Sequence, residues 1–225
     1  MDIGKAFGFV FEDEEWLKKV LIGAVVSLIP LVGQFLTVGY GMEVARRVVK
    51  GHPQVLPEWD DWGTKLMEGF MSNVIAFIWS LPLILIAGCI WIALIPIAGL
   101  DDSGEIVGVV GGILSLCVGL FALLYGLVLA LIFPAAVTHY AATGQFGAAF
   151  RFGEIIGMVR DNLGVYLMVL VTMIIAGFVA GLGGIVVGCG ALFTSFYALL
   201  MIYHAFGQAY RTAAGNVESG TEFAY

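Results

Sequence analysis

The stretch His52-Pro53-Gln54-Val55-Leu56-Pro57-Glu58-Trp59-Asp60-Asp61-Trp62 gathers more chemically capable side chains than any other segment of the chain. Glu58, Asp60 and Asp61 offer carboxylate oxygens and His52 an imidazole, the donor types that hold a divalent cation. The same residues also make a structural loop. Two prolines open it, the acids cap a surface helix that follows, and Trp59 and Trp62 anchor it among lipid headgroups. A second group of candidates lies inside apolar segments. His139 stands beside Thr138 and Tyr140, and His204 beside Tyr203. Facing each other they would bind a metal or a polar ligand; single interfacial histidines bonded to backbone or water are the commoner arrangement. With Gln34, Tyr40 and Tyr125 they would also line a path for a small neutral solute or lipid.

Nothing else in the chain has the spacing of a reaction centre. There is no G-x-S-x-G, no H-E-x-x-H, no phosphate-cradling glycine loop and no Cys–His pairing. An enzyme is not expected, nor a cofactor or a bound metal. Cys89, Cys117 and Cys189 are odd in number, lack C-x-x-C spacing and sit in apolar runs, so they read as small buried hydrophobes.

The elements that must position these residues follow from composition. Apolar residues make up 60% of the chain and charged residues 12%, against about 45–50% and 25% in soluble domains. No Asp, Glu, Lys or Arg occurs in 69–100, 106–150 or 162–210. Each run exceeds the roughly 20 apolar residues that cross a hydrocarbon core about 30 Å thick. The fold class is therefore all-α, a polytopic transmembrane helix bundle whose partner is the lipid bilayer. The net charge of −7 reflects acids at helix starts, and without a basic patch no nucleic-acid partner is expected. Glu12 to Glu15 separate the N-terminal lysine from the first apolar stretch, unlike a secretory signal.

The run 162–210 is too long for one crossing and must turn, best at Gly181–Gly184 and next at Gly188–Gly190. The pair 69–100 and 106–150 turns at Asp101–Glu105. For the first apolar segment the basic residues decide. A straight helix leaves Lys5, Lys18 and Lys19 opposite the other seven Lys and Arg. A turn at Pro30–Gly33 puts all ten on one face, as the positive-inside rule favours, and sets Gln34 near the far interface. This predicts six helices as three hairpins, about 13–49, 69–140 and 162–210, within one membrane domain 1–214. The first pair of arms, Asp13–Ile29 and Val32–Val49, would each be about 25 Å long. Both termini would lie on the cytoplasmic side of the cell membrane, and 215–225 would be a flexible tail. Ala6-Phe7-Gly8-Phe9 and Ala149-Phe150-Arg151-Phe152 suggest a repeated surface helix before a hairpin. Trp59, Trp62, Leu66 and Phe70 suggest another.

Small residues let helices approach in lipid. Gly112, Gly119 and Gly126 recur every seven residues, and Gly177/Gly181 and Gly184/Gly188 form G-x-x-x-G pairs. They serve either packing within the bundle or a seam between copies. The expectation is a non-enzymatic oligomer or accessory subunit of a membrane assembly, with a channel or carrier as the alternative.

The N-terminal D-I-G-K-A-F-x-F-x-F-x-D-x-x-W-L-K-K, the L-P-E-W-D-D-W loop and the F-P-A-A…A-A-F-R-F-G-E-I stretch together resemble a family of uncharacterised prokaryotic membrane proteins, a domain of unknown function. More distantly the chain resembles the membrane domain of some glycerophosphodiesterases. The likeness runs from Asp2 to about Arg211. It implies a prokaryotic cytoplasmic membrane and about six helices, and it implies no activity and no catalytic residue.

Overall fold

A computed structural model describes residues 1–100, 105–184 and 189–222. Among the described residues there is no strand. The order is α1 (Ile3–Gly8), a 3-10 turn Phe9–Glu12, α2 (Trp16–Val26), α3 (Val32–Lys50), α4 (Trp62–Leu100), α5 (Glu105–Thr143), a 3-10 turn Phe146–Phe150, α6 (Phe152–Asp161), α7 (Leu163–Leu182) and α8 (Cys189–Glu222). Among the described residues, four stretches are long and apolar enough to cross a membrane: Trp62–Ala93, Gly108–Thr143, Leu163–Leu182 and Gly190–Gly215.

The first apolar segment turns. α2 ends at Val26, where the Ser27 hydroxyl donates back to the Gly23 carbonyl at 2.7 Å. Pro30 cannot continue a helix. Leu31 then adopts φ 62° and ψ −61°, and the Val32 N–H donates to the Pro30 carbonyl at 2.7 Å, a strained three-residue γ-turn. Both ends of the hairpin meet at one place. Lys19 Nζ and Arg47 each donate to the Leu56 carbonyl, at 3.5 and 3.4 Å. The arms are unequal, however. α2 has 11 residues and α3 has 19, so α2 is about 16 Å long, shorter than expected for its arm.

The chain forms two compact units. One comprises Met1–Ile75 with Leu131–Tyr225, the other Ala76–Ala130. In the first, Phe9, Val10, Val20, Tyr40, Val44, Leu56, Phe196 and Leu200 form one buried cluster, and Ala176, Ala198 and Met201 another. Two glycines permit close approach: a Cβ on Gly39 would strike the Lys65 backbone, and one on Gly69 the Phe35 carbonyl. In the second unit the Tyr125 hydroxyl donates to the Trp79 carbonyl at 2.6 Å, and Phe121 stacks on Tyr125. Its surface is apolar, with Trp91, Leu116 and Leu123 exposed. Cys89 and Cys117 are exposed there too, contrary to the expectation of burial: they face outward from apolar helices rather than into a core.

Other expectations change. Trp62, Leu66 and Phe70 form no separate surface helix, because α4 runs unbroken from Trp62. The two Ala-Phe matches fold differently, Ala6-Phe7 within α1 and Ala149-Phe150 at the end of a 3-10 turn. α8 stays helical to Glu222, into the segment expected as a tail. The turn at 101–104, Gly188 and the last three residues lie outside the described residues.

Candidate functional site

The loop 51–61 begins where Gly51, at φ 68°, ends α3 and its N–H returns to the Arg47 and Val48 carbonyls. It ends where Asp61 Oδ1 accepts the Thr64 N–H at 3.3 Å and caps α4. The Thr64 side chain's hydrogen bond, and next this bond from its N–H, hold the Asp61 carboxyl below the usual carboxylate range. Between these stops the loop lies along the base of the α2–α3 hairpin. Trp59 Nε1 donates to the Lys19 carbonyl at 2.8 Å, and its ring stacks on Tyr40 at 4.5 Å. The Tyr40 hydroxyl donates to the Pro57 carbonyl at 2.7 Å. Trp59 thus points into protein rather than into headgroups.

Two buried lysines organise the charge. Lys19, 2% exposed, reaches Asp13 at 2.8 Å and Glu58 at 2.6 Å. Lys65, also 2% exposed, reaches Glu43 at 2.8 Å and Asp60 at 3.2 Å. Arg47 joins Glu43 at 2.8 Å, and Arg46 pairs with Glu68 and donates to the Ala141 carbonyl. Burial alone would push the Asp13 carboxyl up; hydrogen bonds from Lys19, Gln54 and the Glu15 N–H, with the Lys19 charge, outweigh it and hold Asp13 below its ordinary value. A cleft of about 600 Å³ opens over Glu43, Arg47, Lys50, His52, Asp60 and Lys65. A second, of about 570 Å³, opens over Asp13, Glu15, Lys19, Gln54 and Glu58.

This arrangement divides the candidate cation ligands. Glu58 serves Lys19, Asp60 serves Lys65, and Asp61 caps a helix. Among the described residues no three of His, Cys, Asp and Glu converge as a metal site. The loop residues fasten α2, α3 and α4 together instead.

The five polar candidates are likewise dispersed. Gln34 is exposed beside the turn. Tyr40 and Tyr125 are engaged as described. His204 stacks on Phe9 at 4.2 Å and meets Gln208 at 3.2 Å. His139 lies with Tyr210 at 2.9 Å and within 3.2 Å of Glu154. The two histidines therefore have separate partners. Near Tyr210, the buried Tyr166 hydroxyl has no hydrogen-bond partner among the described residues.

Sequence reading passed over Lys19, Lys65, Glu43 and Glu68, and likewise Glu154, Tyr166 and Tyr210. One signal was available. Lys19 lies three residues after Trp16 and four before Gly23, on the face that packs inward, whereas Lys18 lies on the other face and is exposed. Lys65 has no such local mark, since its burial depends on α3 lying against it at Gly39.

Comparison with known proteins gives a family and a relative. An uncharacterized protein of Methanocaldococcus jannaschii, MJ1189, is 29% identical over 174 residues, covering 74% of this chain and 56% of that protein. The chain thus spans little more than half of that relative's length. No solved structure matches. The likeness to glycerophosphodiesterase membrane domains gains no support from these matches. A family model covers residues 22–189, from the middle of α2 to the start of α8. The match covers most of the chain, and the chain belongs to the family described as a protein of unknown function, DUF4013.

Proposed function

We propose that this chain is a non-enzymatic, multi-pass component of the cytoplasmic membrane that works by helix association with further copies of itself or with other membrane subunits. The carrying observation is the state of its glycines. Among the described residues, Gly112, Gly119, Gly126, Gly177 and Gly181 each have open space where a Cβ would stand, with nothing outside the helix's own neighbouring backbone within 4 Å. The chain does not use these stripes for its own packing at those points. Flat glycine surfaces on apolar helices let a neighbouring backbone come close, which is what drives association in lipid. The gathering of Lys19, Arg46, Arg47 and Lys65 at the base of the first hairpin supports a cytoplasmic placement of that base and of both termini.

The test is disulfide trapping in membranes, in a background with Cys89, Cys117 and Cys189 replaced. Gly112→Cys, Gly119→Cys and Gly126→Cys should each give dimers on oxidation, and Gly119→Leu should abolish trapping at Gly112→Cys. Monomer alone at every position, together with a strict monomer by native mass spectrometry, overturns the proposal.

A further inference from the structure

The two hairpins of the first unit end at nearly the same level. On one side of α8, Thr194 Oγ1 donates to the Ala180 carbonyl at 3.1 Å, and Ala176 packs with Ala198 and Met201. On another side, Gly23 lies against the Phe196 ring, and Val20 joins Phe196 and Leu200 in the core. Gly23 therefore stands within about one helical turn of Ala180, and Lys19 within about a turn of Ala176. From Lys19 to the end of α2 at Val26 is about 10 Å at 1.5 Å per residue, with the turn residues to Leu31 beyond it, and from Gly39, which abuts Lys65, to Leu31 is about 12 Å. α7 has 20 residues, about 30 Å, and carries no Asp, Glu, Lys or Arg. It matches a full hydrocarbon core. Its exposed side chains, Leu163, Leu167, Val171, Ile174, Phe178 and Leu182, run its whole length. Between their turn and the buried lysines, the α2–α3 arms cover only about half of that, although α3 runs on for 19 residues in all. Below the lysines come exposed Val25, Leu28, Ile29 and Leu31, and above them come charges and the two clefts.

We propose that the α2–α3 face admits water and phospholipid headgroups to about mid-depth of the bilayer, so that the hydrocarbon bordering it is about half as thick as that bordering α7. Asp13, Lys19, Glu43, Glu58, Asp60 and Lys65 form the floor to which water descends. Charges at mid-depth are costly in dry hydrocarbon and settle where water reaches them. A bilayer thins toward a short apolar segment. Lys19 and Lys65, with Arg47 on Glu43, offset most of the charge of the four carboxylates, and the clefts above them are roomy enough to be wet. The interaction surface is thus a shallow lipid contact on one side of the unit and a full-depth contact on the other. It rests on α7 crossing the membrane and does not depend on the glycine seam.

The test compares two exposed positions at one level, Lys18 on α2 and Ile174 on α7. Lys18 makes a surface pair with Glu15 at 3.0 Å, both side chains more than half exposed, so Lys18→Cys leaves the buried network intact. In the cysteine-replaced full chain reconstituted into phosphatidylcholine vesicles, Lys18→Cys should react with an impermeant thiol reagent at least tenfold faster than Ile174→Cys. A fluorophore at 174 should be quenched by lipids brominated mid-chain, and one at 18 by headgroup-level quenchers. Leu31→Cys and Leu182→Cys should report equal depth. Three results overturn the proposal: position 18 as shielded as 174, position 174 as reactive as 18, or Leu31 at the bilayer centre while Leu182 lies at an interface.

Discussion

The α2–α3 and α7–α8 hairpins reach the same level by opposite means. α7 lies against α8 through alanines, threonines and a short glycine turn, with no Asp, Glu, Lys or Arg from Asn162 to Tyr210. Lipid is a good solvent for its outer face, and few specific contacts are needed to hold it. The α2–α3 hairpin is held from its base by buried ion pairs, a stacked tryptophan and two glycine contacts with α4. One hairpin is placed by solvent preference and the other by polar fastening. The two should therefore respond differently to the same kind of perturbation.

The largest difference should come from truncating side chains at matched levels. Lys19→Ala leaves the nearly buried Asp13 without its cation and frees Glu58. The expected loss is about 3 kcal/mol, at the low end for a broken buried pair because Glu58 is half exposed. Ile174→Ala on the lipid face of α7 should change stability by no more than about 0.5 kcal/mol. Reversible unfolding in mixed micelles measures both, and equal effects would erase the comparison.

Glycine substitutions sharpen it next. Gly69→Ala drives a methyl into the Phe35 carbonyl and should cost about 2 kcal/mol. Gly177→Ala meets open space and should be neutral or stabilising by up to about 1 kcal/mol in the isolated chain. If Gly177→Ala instead weakens oxidative trapping between copies, it supports the association seam without touching the fold.

The two turns offer a smaller contrast. Leu31 holds a positive φ that a branched residue resists and is 73% exposed, so Leu31→Gly should stabilise by about 1 kcal/mol. Gly183 has an ordinary φ of −64°, yet a Cβ there would meet Thr194, so Gly183→Ala should destabilise. Thermal unfolding of the two variants should shift in opposite directions.

The smallest expected effect is in acid. Asp13 is held below its ordinary 3.8, so its ionised form adds stability that is fully present above about pH 3.8 and lost as pH falls through the lower folded value. Wild type should therefore lose stability relative to Asp13→Asn over that window. The α7–α8 hairpin carries no carboxylate from Asn162 to Tyr210. A flat difference between the two proteins below pH 4 would remove Asp13 from the fastening network.

Composition and charge-free runs by themselves determined an all-helical membrane protein, because hydrocarbon tolerates no unpaired backbone and few charges. The reversal at Pro30 was legible as well, from a residue that cannot continue a helix and from ten basic residues that fit one face. The L-P-E-W-D-D-W loop stood out, but its chemistry was not legible. Carboxylates at that spacing suit a cation or a cap equally well, and only the approach of Lys19 and Lys65 from α2 and α4 decided that they are ion-pair partners. The depth of the charges was also decided by tertiary structure. A lysine four residues before a glycine on a short helix says nothing about its level until that glycine is seen against Phe196 and α8 against α7. Burial and level are relations between distant segments, and one segment's residue types cannot carry them.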